Sequence, residues 1–158
     1  MLQASRVVRG TASTSGNMAV DSVSRGAIAV LGTVFAGLAV GLLIDPITLQ
    51  EPHGLDFSRS PPSALAEIRA YYFGTMAVLA AYLLRGVVGS AADRIRALEM
   101  GGSVIGLFAL ARVYSYIVDG PPNNSHAEIM WAAEALGAVG AFGLWWAEKG
   151  RQTAWGRG

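Results

Sequence analysis

Uncharged, mostly apolar residues run without interruption from Ala27 to Ile44, AIAVLGTVFAGLAVGLLI, until Asp45-Pro46 stops them. About 18 residues at ~1.5 Å rise each nearly cross the ~30 Å hydrocarbon layer of a bilayer. Three further apolar stretches follow, at about 65–84, 100–118 and 129–146, and each carries one or two charges. All are too long for barrel strands and lack a period of two, whereas a spanning helix satisfies its own backbone hydrogen bonds. The pattern therefore predicts an all-α fold, a four-helix transmembrane bundle over residues 25–149 with spans at about 27–44, 65–84, 100–118 and 129–146.

Helix punctuation agrees with these limits. Pro61-Pro62-Ser63 offers a stop and an N-cap before the second span, and Ser125-x-x-Glu128 has the spacing of a capping box before the fourth. Gly120-Pro121-Pro122 reads as a sharp turn after the third. Residues 1–24, rich in Ser, Thr, Gly and Ala and without the apolar core of a secretory signal, read as a disordered or targeting tail. Initiation at Met18 is a further reading of that segment. Residues 150–158 form a short basic tail.

Lys and Arg in the connections set the orientation. Arg6, Arg9, Arg25, Arg85, Arg94, Arg96, Lys149, Arg151 and Arg157 fall on one side, with Arg59 alone clear of a helix on the other. This places both termini on the inside, the cytoplasmic-type positively charged face. Trp145, Trp146 and Trp155 near the inner end, and Trp131, Tyr71 and Tyr72 nearer the outer end, suit interfacial anchors.

Composition narrows the chemistry. Hydrophobic residues make up 53% and charged residues 15%, too few charges to clothe a soluble globule. A net charge of +1 offers no field for a nucleic-acid backbone, so nucleic acid is not an expected partner. The absence of cysteine removes disulfides, thiolate metal sites and cysteine nucleophiles. His53 and His126 lie far apart in connecting segments, and no metal site is expected. Ser103 and Ser115 have no histidine at helical spacing, and there is no HExxH or phosphate-binding glycine loop. The reading leans away from an enzyme, and no cofactor is identified.

Small residues recur at four-residue spacing: Gly37 and Gly41, then Ala66, Ala70 and Gly74, then Gly102 and Gly106, then Ala133, Gly137 and Ala141. Such faces let helices approach closely, either within the bundle or against another membrane protein. Ionisable residues inside the spans need partners, because a charge near a bilayer centre costs about 3 kcal/mol on insertion scales. Glu67 and Arg69 lie early in the second span, and Arg112 lies about two turns, ~10 Å, inside Asp119 on the third. Glu134 lies at a similar depth on the fourth. The expected pairing is Arg112 with Glu134, shared with Glu67, with Tyr71 and Tyr116 adding hydrogen bonds. The candidate polar cluster is thus Glu67, Arg69, Tyr71, Arg112, Asp119 and Glu134, read either as an ion-pair network fixing helix order or as an outward-facing ligand or ion site. Glu99 and Glu128 read as favourable charges at helix starts. The connection from Asp45 to Ser63, with His53, Asp56 and Arg59, is the expected outer contact surface.

Glu67-Ile68-Arg69-Ala70-Tyr71-x-x-Gly74, then Ala111-Arg112 followed by Asp119-Gly120-Pro121-Pro122, then Glu134, together make roughly Arg25 to Lys149 resemble the bacterial domain-of-unknown-function family 4345 of small four-helix membrane proteins. Phe73 departs from its pattern, where a second glycine beside Gly74 is expected. The resemblance implies the fold and an important polar cluster, and lends no substrate or reaction. Two functional classes follow from the sequence. One is a non-enzymatic accessory or assembly subunit of a larger membrane complex, partnered by membrane lipids and by other subunits or itself. The other is a small transporter or ligand-binding membrane protein using the outer cluster, though no internal repeat or broken helix pair marks a transport site.

Overall fold

The structure, a computed structural model, describes residues 4–50, 62–121 and 125–155, with side chains described at 16, 18–49, 62–121 and 128–153. His53, Asp56, Arg59 and the side chains of Ser125, His126 and Trp155 lie outside these. Every regular element among the described residues is helical: α1 (Ala4–Ile44), α2 (Pro46–Gln50), α3 (Pro62–Ile68), a π-helical turn (Arg69–Phe73), α4 (Gly74–Val88), α5 (Ala91–Asp119) and α6 (Ser125–Trp155). Four helical stretches among the described residues are long and apolar enough to cross a membrane: Met18–Ile44, Pro62–Val88, Ala91–Asp119 and Glu128–Thr153. They run up and down in order, so α1 around Asp21, the α4–α5 turn and α6 around Glu148 meet at one end of the bundle, the terminus end.

The helices are longer than their apolar stretches. Helix α1 extends back into the segment read as a tail, and Ser24 is fully buried there. Arg85, Arg94 and Arg96, expected in a connection, instead lie within α4 and α5, and only Gly89 and Ser90 link these two helices. A capping box explains so tight a turn. The Ser90 hydroxyl accepts from the Asp93 backbone N–H at 3.2 Å, and the Asp93 carboxylate accepts from the Ser90 N–H at 3.0 Å. Helix α5 thus starts well before Met100, and Glu99 lies inside it rather than at its start. Its first turns bury Arg94, Ala97 and Leu98. At its other end Gly120, with φ +95°, takes a conformation that favours glycine and stops the helix.

Ile28 and Phe35 of α1, Leu79, Ala80 and Leu83 of α4, Ala97, Leu98 and Ile105 of α5, and Ala138 of α6 form one continuous core. Helix α1 packs most extensively on α4, and α5 on α6. The α5–α6 seam uses small residues from both expected faces: a Cβ at Gly102 would lie 3.2 Å from that of Ala141, and one at Gly137 would lie 3.7 Å from Ile105. Elsewhere the expected faces differ in role. Gly41 faces Leu49 of α2, while a Cβ at Gly37 or Gly74 would meet nothing within 4 Å among the described residues. The α1–α4–α5 junction depends on Gly86, where an added Cβ would sit 2.5 Å from the Ala97 Cβ, a group that cannot rotate away. Gly86→Ala is expected to cost about 1–3 kcal/mol through overpacking, read as a lowered melting temperature of the detergent-solubilised protein.

Candidate functional site

At the end of the bundle away from the termini, the candidate cluster divides. Arg112 of α5 and Glu134 of α6 form a bidentate ion pair, Nε to Oε2 at 2.5 Å and Nη2 to Oε1 at 2.8 Å. Two parallel charge-assisted bonds fix the rotation of α5 against α6 as well as attracting them. Their side chains are 32% and 13% exposed, so the pair lies at the seam rather than in the core. Tyr116, one turn beyond Arg112, packs edge-on against Trp131 with ring centroids 6.1 Å apart.

Glu67 does not share this pair. It is exposed on α3, and the side chains of Glu67, Tyr71 and Asp119 make no hydrogen bond or ion pair with a described residue; the Tyr71 backbone carbonyl accepts from the Thr75 hydroxyl at 2.6 Å. The π-helical turn supplies the physical reason. Its wider spacing rephases the helix between Glu67 and α4, so the four-residue step from Glu67 to Tyr71 does not carry both inward. Both side chains are exposed, Tyr71 at 70%. Arg69, within that turn, instead donates from Nε to the Leu43 carbonyl at 3.1 Å, satisfying a backbone acceptor at the end of α1. Next to it, Asp45 accepts from the Thr48 backbone N–H at 3.1 Å and opens α2. The Thr48 hydroxyl and N–H hold its carboxyl below the ordinary carboxylate range.

The second set of charges lies at the terminus end and unites four helices. Asp21 of α1 accepts from Arg25 Nε at 2.9 Å and pairs with Arg94 of α5. Glu148 of α6 pairs with Arg151 at 2.9 Å and with Arg94 at 3.5 Å. Arg151 also reaches within 3.8 Å of Asp21, and Arg25 donates to the Val87 carbonyl of α4. Arg94 is 4% exposed and Glu148 fully buried. The Arg94 Nε and Glu148 Oε1 face each other at ion-pair distance without hydrogen-bond alignment, and the buried Ser24 hydroxyl has no partner among the described residues. Three guanidiniums thus surround two carboxylates, with Arg94 and Glu148 withdrawn from water while the Arg25 and Asp21 side chains keep 37% and 31% exposure.

Sequence reasoning assigned these residues to tails and connections. Their signal was the spacing of Asp21, Ser24, Arg25 and Ile28 along one helical face, and of Arg94, Ala97 and Leu98 along another. Chemically, both networks join opposite charges across helices. No group of three or more His, Asp or Glu among the described residues could hold a metal ion.

No curated protein and no solved structure matches the chain. The model of the family described as Domain of unknown function (DUF4345) matches residues 23–147, which takes in the second and third long apolar helices, most of the first and fourth, and the Arg112–Glu134 pair. The chain therefore belongs to the DUF4345 family.

Proposed function

We propose that this protein acts by packing, as a non-enzymatic accessory or assembly subunit of a larger complex in the bacterial inner membrane, with both termini on the cytoplasmic side. The observation that carries this reading is the outer face of α6. Ala133, Leu136, Gly140 and Gly143 follow one another at steps of three and four residues, all exposed, and a Cβ at Gly140 or Gly143 would meet nothing within 4 Å among the described residues. That repeat is the seam of a close helix–helix crossing, and in lipid such contact rests on small residues rather than on hydrophobic driving force. The clustering of Lys and Arg at the terminus end supports the orientation. The competing reading, a transporter or ligand-binding protein using the outer cluster, has less support, because Arg112 and Glu134 satisfy each other and Arg69 is held by a backbone carbonyl.

Cross-linking in native membranes, followed by mild-detergent extraction, tests the subunit reading. Wild-type protein is expected in a defined assembly, and the double variant Gly140→Leu, Gly143→Leu is expected to leave it while melting as wild type does. If both proteins emerge at the same monomeric size, the subunit reading fails.

A further inference from the structure

A groove of about 530 Å³ opens on the side of the bundle between α4 and α5. Its walls are apolar, with Tyr71, Gly74, Val78 and Tyr82 on one side and Met100 and Phe108 on the other. From Ala70 to Tyr82 the helix rises roughly 18 Å, comparable to the ~15 Å depth of one leaflet of hydrocarbon. Tyr82 also borders a smaller polar hollow lined by Arg85, Gly86, Asp93 and Arg96, so the groove leads into a basic mouth at the terminus end.

The cations at that mouth retain donors for a ligand. Asp93 is engaged by the Ser90 hydroxyl at 2.7 Å and backbone N–H at 3.0 Å, and meets Arg85 only at 3.7 Å. The Arg85 side chain is 75% exposed, and Arg96 has no ion-pair partner among the described residues. The hollow therefore carries a net positive charge after Asp93 is counted.

From this juxtaposition we infer that the α4–α5 groove binds one anionic phospholipid, its acyl chain along the groove and its phosphate between Arg85 and Arg96. The charge complementarity selects the occupant. A transmembrane helix would fill the apolar groove without answering two guanidiniums at headgroup depth, whereas basic pockets between spans on the cytoplasmic side suit acidic headgroups. Planar guanidiniums suit the paired oxygens of a phosphate. The inference rests on the chain spanning a membrane and not on its assembly with a partner.

Native mass spectrometry of the full chain, extracted in mild detergent and given equal amounts of dioleoyl phosphatidylglycerol and dioleoyl phosphatidylcholine, tests it. Wild-type protein is expected to retain one phosphatidylglycerol with at least about tenfold preference. Arg85→Gln with Arg96→Gln should abolish the preference, and Gly74→Phe, which fills the groove from an open position, should reduce retention of both lipids. Lys149→Gln, a basic residue outside the hollow, should change neither. Equal retention of the two lipids by wild type, or an unchanged preference in the double arginine variant, overturns the site. Alkaline carbonate washing of membranes checks the membrane reading separately, since release of the protein there would fail that reading whatever the lipid result.

Discussion

Glu148→Ala is expected to destabilise the bundle by about 3–5 kcal/mol, the usual cost of removing one partner from a buried ion pair. Glu148 is fully buried and faces both Arg94 and Arg151. Without it, three guanidiniums share the single carboxylate of Asp21, and Arg94, itself 4% exposed, cannot turn to water. Glu148→Gln should recover little, because the amide keeps the shape and one acceptor but not the charge. Replacing Arg94 and Glu148 together by methionine should cost less than the sum of the two single changes, since neither charge is then left alone. Denaturant or thermal melts of the solubilised full chain measure each of these, and an unaltered melt for Glu148→Ala would remove the network from any account of stability.

The Arg112–Glu134 pair is expected to contribute somewhat less, about 1.5–3 kcal/mol for either single change to alanine, because it is hydrogen-bonded and charged but not fully withdrawn from the surface. The bidentate geometry makes a stronger test available than loss alone. Arg112→Glu combined with Glu134→Arg restores opposite charges on the same two helices and should recover part of the stability lost by each single reversal. Recovery will be incomplete, since a shorter carboxylate on α5 and a longer guanidinium on α6 do not reproduce the two parallel bonds at 2.5 and 2.8 Å. Absence of any coupling between the two positions would show that the contact does not hold α5 to α6.

The two networks act on different boundaries of the fold. Arg112 with Glu134 sets the α5–α6 rotation, whereas the set centred on Arg94 joins α1, α5 and α6 and reaches α4 through the Val87 carbonyl. Between them lies the core of Ile28, Leu83, Leu98 and Ile105, made continuous by the close approach at Gly86. Charged contacts thus join helices at both ends, and small residues permit the distances in the middle.

The four helices, their order and the pairing of Arg112 with Glu134 were legible in the chain because each depends on local or one-dimensional information. An uninterrupted apolar run must be a helix to cross a bilayer, alternate spans must reverse direction, and two lone opposite charges at equal depth on consecutive spans are natural partners. The wider cluster was not legible. Glu67 and Arg69 occupy the expected span, but the π-helical turn at Arg69–Phe73 changes the helix phase by an amount that no four-residue spacing shows, and Arg69 closes on a backbone carbonyl that has no sequence signature.

The helices run past their apolar stretches for a related reason. Hydropathy counts Asp21, Arg94 and Glu148 as solvent-exposed, so it shortens α1, α5 and α6 to their apolar centres and assigns their charged turns to tails and loops. Only the tertiary structure brings those turns together, where each charge replaces the water that the others have lost. Local residue patterns are enough to tell which segments are helical and apolar, since that property belongs to each residue and its near neighbours. Which charges are buried, which glycine faces are closed by a neighbouring helix and which remain open on α6 and beside α4 depend on how four cylinders are rotated about their axes, and contacts between distant residues decide that rotation.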